Sequence, residues 1–208
     1  MGKCVIFCAG GFDGLIQPLG KEDFLIAADG GLVHLQKLNL KADAVLGDFD
    51  SLGYTPEGAK VFPVEKDDTD AMLAVRQGLK LGYKEFILYG SLDGARLDHT
   101  VANFQTLQYL ADRGARGVCV GNRYVAAVIK NETVRFPETA KGIFSVFCMG
   151  VDAQGVTITG AKYEAQDITL TAGFPLGVSN HFIGKECSVT VKDGSLLLLY
   201  DRETGLLQ

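Results

Sequence analysis

The sequence predicts an α/β protein in two parts: residues 1–122 as a mostly parallel sheet with flanking helices, and residues 123–208 as an antiparallel β domain. Two observations carry this. Up to about residue 115, short apolar runs alternate with longer helical stretches, the pattern of parallel strands joined by helices. From about Gly121 the helical period disappears and short alternating runs follow, punctuated by Gly, Pro and Asp. The junction over residues 114–131 has no Pro- or Ser-rich linker, so two closely packed parts are expected.

In the first part the expected strands are CVIFCA, FLIAAD, AVLGDF and EFILYG. Helices are expected over 31–40, 70–81 and 98–113, the last with Val101, Phe104, Leu107 and Leu110 on one apolar stripe. Asp29, Asp48 and Ser91 then fall near strand ends, where open α/β sheets place ligands outside the carboxyl edge. In the second part the expected strands are VAAVI, TVRF, IFSVFC, GVTITG, DITLTA, CSVTV and SLLLLY.

The 208 residues, 47% apolar and 22% charged, are enough for a substantial core. Twenty basic against 25 acidic side chains give a net charge of -5 with no basic block, which argues against a nucleic-acid partner. The apolar run in MGKCVIFCAGGFDG ends too soon for a signal peptide or a membrane span, and Ile6 stands where a myristoylation signal wants Ser or Thr. No membrane anchor is expected. The five cysteines, at 4, 8, 119, 148 and 187, form no CxxC and each sits in an apolar run. They read as reduced core thiols of a cytoplasmic protein. In an extended strand Cys4 and Cys8 would stand ~13 Å apart, too far for a disulfide.

Three acidic motifs carry the candidate chemistry. In GDFDS (47–51), Asp48 and Asp50 stand two apart, so an extended segment points both carboxylates one way and Phe49 the other. Two such acids plus substrate oxygens suffice for magnesium, although a bare DxD is also compatible with a solvated turn. In KDDTD (66–70) the acids precede an apolar-periodic helix, which Asp68 or Thr69 can cap. One cap needs one residue, however, and Asp67, Asp68 and Asp70 together repel unless a cation or Lys66 offsets them. DGARLDH (93–99) places Arg96, Asp98 and His99 within one turn. Arg96 offers a planar fork for phosphate, with Asp98 beside it as metal ligand, orienting group or plain helix cap.

Two glycine loops are weaker signals. AGGFDG can bring backbone amides to a phosphate but matches neither GxGxxG nor the P-loop. ADGG (28–31) closes a strand with an acid and two glycines, a ligand loop or a simple turn. No HExxH, GxSxG or EF-hand pattern is present, and clustered acids suit a metal better than the separated pair of a glycosidase. The residues alone therefore favour a metal site, with magnesium-assisted phosphoryl transfer as the general reading.

Taken in order, ADGG (28–31), GDFDS (47–51), EKDDTD (65–70), GARLDH (94–99) and GVSN (177–180) resemble the motif series of the thiamine pyrophosphokinase family. The resemblance spans nearly the whole chain. It implies a Rossmann-like nucleotide-binding domain followed by a β-sandwich-like thiamine-binding domain. The implied reaction is ATP plus thiamine giving thiamine diphosphate and AMP. It further implies a homodimer with the active site at the subunit interface. By motif position, Asp29, Asp48, Asp50, Asp67, Asp70 and Asp98 would form the acidic Mg2+ and ATP site. Asp48, Asp50, Asp67 and Asp70 would be the metal ligands, Gly30 and Ser91 would lie on the nucleotide and Arg96 on phosphate. Ser179 and Asn180 would hold thiamine. Asp67 and Asp98 are the candidates for a general base.

Two departures stand out: Ala95 replaces the second glycine expected before Arg96, and Asp68 occupies a variable position and reads as a bystander. With no Trp in the chain, stacking on thiamine falls to Phe174 or Phe182. The competing readings are a DxD-type glycosyltransferase, which leaves KDDTD and GARLDH without a role, and a non-catalytic cation- or nucleotide-binding protein.

Overall fold

A computed structural model describes residues 2–47, 60–61 and 68–207, the pair 60–61 through its backbone alone. The chain divides into two compact units, Met1–Asn122 and Arg123–Gln208.

In the first unit, strands β1 (Cys4–Phe7), β2 (Phe24–Ala28), β3 (Ala44–Gly47), β4 (Lys60–Val61), β5 (Glu85–Tyr89) and β6 (Arg116–Val120) are all parallel, in the order β6-β5-β1-β2-β3-β4. Helices α1 (Leu32–Lys37), α2 (Asp70–Lys80) and α3 (Leu97–Ala111) follow β2, β4 and β5. The chain adds β2, β3 and β4 outward on one side of β1, then returns to add β5 and β6 on the other. The direction of winding reverses between β1 and β5, and their carboxyl ends frame a crevice.

Packing explains these elements. All four residues of β1 are fully buried, as expected of a central parallel strand covered on both faces. Helix α2 lies directly on the sheet, because a Cβ added at Gly78 would come within 2.5 Å of the Phe86 ring and 2.7 Å of the Cys4 sulfur. Leu107 and Leu110 of α3 fill the space over Gly117 of β6 in the same way.

Strand β6 is absent from the sequence reading, which assigns RGVCV to the junction. Its Arg-Gly start hides it, and the glycine is there because two leucines occupy its side-chain space. Helix α1 is shorter than expected, since Asp29–Gly31 form a 3-10 turn and Asn39 takes a positive φ of 54° just past the helix end. The expected stripe on α3 is also turned. Val101 is 51% exposed, whereas Asn103 and Thr106 join Leu107 and Leu110 on the buried face. Asn103 is drawn inward by its hydrogen bond to the Ser91 carbonyl at 2.7 Å.

In the second unit, strands β7 (Tyr124–Lys130), β8 (Thr133–Phe136), β9 (Ile143–Cys148), β10 (Ala153–Thr159), β11 (Ala165–Leu170), β12 (Asn180–His181), β13 (Cys187–Thr190) and β14 (Ser195–Asp201) pair antiparallel. They form two sets, β12-β9-β14-β7 and β11-β10-β13-β8. Aromatic rings join the sets: Phe136 of β8 lies 6.1 Å from Phe144, 5.0 Å from Phe182 and 5.2 Å from Tyr200. The two-residue β12 is too short to announce itself by periodicity.

All five cysteines are free. Four are buried as expected, while Cys148 is half-buried and donates to the Leu170 carbonyl at 3.0 Å. Among the described residues no helix is long and apolar enough to cross a membrane.

Phe136 meets three rings and is 2% exposed, so Phe136→Ala should destabilise the protein by about 3–5 kcal/mol in urea unfolding. A loss below ~1 kcal/mol would show that this cluster is not the core of the second unit.

Candidate active site

At the carboxyl ends of β1, β2 and β5 and the starts of α2 and α3, the first unit holds an open cleft of about 500 Å³. Its floor is two glycine loops that interlock. Cys8 N–H donates to the Tyr89 carbonyl at 2.8 Å and Gly10 N–H to the Gly90 carbonyl at 2.9 Å, so β1 and β5 continue to pair beyond their ends. Gly90 has φ +64°, and a Cβ there would meet the Cys8 oxygen at 2.5 Å. One at Gly10 would meet the Gly90 oxygen at the same distance. Only glycine fits either position.

The loop after β1 is anchored by Phe12, whose ring packs against Phe7, Tyr89 and His34. His34 reaches across from α1 and donates from Nε2 to the Gly10 carbonyl at 2.8 Å, and Ile16 N–H donates to the Tyr89 hydroxyl at 3.1 Å. The amides of Gly10 and Gly11 are committed to the Gly90 and Asp93 carbonyls. This corrects the expectation that AGGFDG offers those amides to a phosphate.

The cleft gathers several of the residues singled out from sequence. Asp29 lines it from the end of β2, in the left-handed conformation (φ 48°) that Asp tolerates better than most residues. Gly30 is the next residue of the same turn. Asp70 lines it from the first turn of α2, close enough to Cys8 that its charge adds to the burial holding that thiol far up. Thr69 caps α2, its Oγ1 accepting from Met72 N–H at 3.2 Å, and Asp68 turns away to an ion pair with Arg76. Ser91 is buried in the cleft wall and its hydroxyl donates to the Leu88 carbonyl at 2.8 Å.

Asp48, Asp50, Ser51 and Asp67 lie outside the described residues. Gly47, which leads into GDFDS, packs against Asp29: a Cβ on it would stand 3.0 Å from the Asp29 Cα. Among the described residues no group of three or more His, Cys, Asp or Glu is arranged to hold a metal.

Arg96 lines the rim and grips Asp98 through two hydrogen bonds, Nε–Oδ1 at 3.2 Å and Nη2–Oδ2 at 2.6 Å. The pair is solvent-exposed. Arg96 holds the Asp98 carboxyl below the usual carboxylate range, and Asp98 in turn raises the guanidinium. Asp98 sits inside the first turn and Arg96 is the cap residue, without a capping side-chain bond, so the reading of Asp98 as the helix cap does not hold.

In the second unit, Ser179 is exposed at φ 62° and its N–H donates to Ser145 Oγ at 3.1 Å. Asn180 is 6% exposed and its amide clamps the Tyr163 backbone, accepting from the N–H at 3.0 Å and donating to the carbonyl at 2.7 Å. Phe182 stacks on Phe144 at 4.7 Å in the core and has no open face of the kind Phe174, 64% exposed, presents.

Sequence reasoning quoted Asp93 as the start of DGARLDH without giving it a role and passed over Thr100 and Asn103; all three line the cleft. Asn103 and Thr100 repeat at helical spacing from Arg96 and lie beside the motif, a signal that was available. Asp93 carried none, because its partners are distant in sequence.

Fold and cleft together define an α/β protein with an open cleft where the strand order reverses, the place where such sheets take small molecules. The chain belongs to the thiamin pyrophosphokinase family: residues 16–119 match its catalytic domain and residues 131–196 its vitamin B1 binding domain. It is 25% identical to the thiamine pyrophosphokinase of Bacillus subtilis (strain 168), over 95% of this chain and 98% of that one. Its fold is that of the B. subtilis crystal structure, with TM-score 0.82, 21% identity and coverage of 96% and 98%. The Candida albicans thiamin pyrophosphokinase is similar too, at TM-score 0.77, 13% identity and coverage of 96% and 88%. The glycosyltransferase reading finds no support in these matches.

Burial, ahead of the nearby Lys37 charge, pulls His34 below its ordinary pKa, while its bond to Gly10 partly opposes the shift. The unfolded chain takes up this proton before the folded one does. The stabilisation is therefore complete above the unfolded value of about 6.5 and is lost as pH falls below it toward the folded value. Thermal melts from about pH 7 to 5 should show wild type losing more stability than His34→Gln, and equal losses would contradict this.

Proposed function

We propose that the first-unit cleft binds ATP and that its acids and Arg96 position the triphosphate for attack by thiamine. As a member of its family the chain transfers a pyrophosphoryl group from ATP to the hydroxyl of thiamine, giving thiamine diphosphate and AMP. The thiamine oxygen bonds to the β-phosphorus, the bond from that phosphorus to the oxygen bridging the α-phosphorus breaks, and AMP leaves. The observation that carries the site assignment is that Asp29, Asp70 and Arg96, from three distant segments, line one cleft.

A triphosphate beside Asp29 and Asp70 is repelled unless a cation intervenes. Oxygen donors of this kind fit Mg2+, with Asp70 and, from GDFDS and KDDTD, Asp48, Asp50 and Asp67 as the proposed ligands. When bound, the ion neutralises phosphate charge and polarises the transferred group. Asp29, Gly30 and Ser91 shape the nucleotide side. Arg96 meets phosphate oxygens, and the start of α2 favours negative charge. Arg96 holds the Asp98 carboxyl low, which weakens it as a base, and a metal-bound Asp67 would be weakened likewise, so both stay candidates for the hydroxyl proton.

For the second unit we adopt the sandwich reading, supported by the aromatic layer between its two strand sets, and for the first the Rossmann-like reading, supported by its strand order. Ser179 presents its hydroxyl to thiamine, Asn180 supports it by fixing the Tyr163 loop, and Phe174 supplies an exposed ring. A homodimer with its active site at the subunit interface follows from the family resemblance, and exposed Leu97 and Val101 on α3 are apolar surface for it to cover. Five free thiols agree with a reducing cytoplasm.

With ATP, Mg2+ and thiamine, the protein should release AMP only when thiamine is present. Asp70→Asn and Asp48→Asn should each cut kcat/KM at least ~100-fold while leaving the melting temperature nearly unchanged. Full activity per folded molecule in both variants would make the acids helix-end and turn residues instead.

A further inference from the structure

We propose that Asp93 is a positioning residue that fixes where Arg96 stands. The proposal rests on reading the first-unit cleft as the ATP site. Arg96 is paired with Asp98, only two residues away, so that pair does not determine its own location. Both residues inherit their position from the loop joining β5 to α3, and Asp93 ties that loop to two others. Its carbonyl accepts from Gly11 N–H at 3.2 Å and its Oδ2 from Asn122 N–H at 2.6 Å. A carboxylate accepting from a backbone amide makes a strong, directional bond.

The side chain also occupies a slot that only glycines leave open. A Cβ on Gly11 would stand 3.0 Å from the Asp93 Cβ, and one on Gly121 would stand 2.4 Å from Oδ2. Asp93 thus joins the segments following β1, β5 and β6 at one point. On the far side, Asn103 and Thr100 of α3 bond the Ser91 and Leu92 carbonyls at 2.7 and 3.3 Å. The loop is held from both sides: on the sheet side the Ser91 hydroxyl ties its start to the Leu88 carbonyl at 2.8 Å, and Asp93, nearer Arg96, ties it to the segment after β6. An ångström of freedom in a charge-stabilising group costs on the order of 100-fold in rate, so slack here is read out at Arg96.

The test is steady-state kinetics on the full chain with ATP, Mg2+ and thiamine. Asp93→Ala should lower kcat/KM for ATP ~10–100-fold with KM for thiamine unchanged, while Asp93→Asn, which keeps an acceptor oxygen, should recover most of it. Gly121→Ala deletes nothing but crowds the carboxylate, its Cβ standing 2.4 Å from Oδ2 and, less severely, 3.0 Å from the Leu92 Cβ. It should lower activity in the wild-type background and cost much less alongside Asp93→Ala. Asp93→Ala should likewise add no loss to Arg96→Ala, the signature of acting through it. If Arg96→Ala is impaired but Asp93→Ala is not, or if the two losses add, the positioning role is wrong and the cleft assignment stands. A neutral Arg96→Ala overturns the cleft assignment and this proposal together. Should Asp93→Ala not fold, Asp93→Asn and Gly121→Ala decide: an inactive Asn variant or a neutral Gly121→Ala overturns it.

Discussion

The close approach of two backbone loops at Gly10 and Gly90 is the constraint on which the cleft depends. Strands β1 and β5 are neighbours whose chains depart in opposite directions, so the sheet opens at their carboxyl ends. The hydrogen bond from Gly10 to Gly90 keeps that opening from splaying, and neither position has room for a side chain. Phe12 and His34 brace one loop from below, while Asp93, Thr100 and Asn103 brace the other. The polar residues of the cleft stand on this frame.

The frame also organises charge. It brings Asp29, Asp70 and the exposed Arg96 to the lining of one cleft, and it commits the Gly10 and Gly11 amides to protein carbonyls. Negative charge inside the cleft is therefore met by few backbone donors, which is why a cation-assisted triphosphate site suits it better than a simple anion cradle. Asp68 is kept out of this balance by Arg76, and the exposed Arg96–Asp98 pair stays accessible to a ligand.

Most of the fold could be read from the sequence because its central strands are continuous apolar runs and its later strands alternate. What failed to show has local causes. Strand β6 begins Arg-Gly because Leu107 and Leu110 need the space over Gly117. The buried face of α3 includes Asn103 and Thr106, polar residues with carbonyl partners that an apolar stripe cannot reveal. Within the candidate site, Asp29, Asp70 and Arg96 were legible because they belong to acidic and arginine motifs at strand ends and helix starts that carry more charge than one helix cap needs. Ser91 and Asn180 were legible as positions, but their side chains are engaged with the protein's own backbone. Asp93 was invisible, since its role depends on Gly11 and Asn122, which only the folded sheet brings near.

The central claim is that the cleft between the ends of β1 and β5 holds the triphosphate. A crystal structure with a non-hydrolysable ATP analogue, Mg2+ and thiamine tests it most directly. The phosphates should lie in the first unit, within contact of Arg96 and bridged by the ion to Asp70. A nucleotide bound elsewhere, with this cleft unchanged and empty at saturating concentration, would contradict the account.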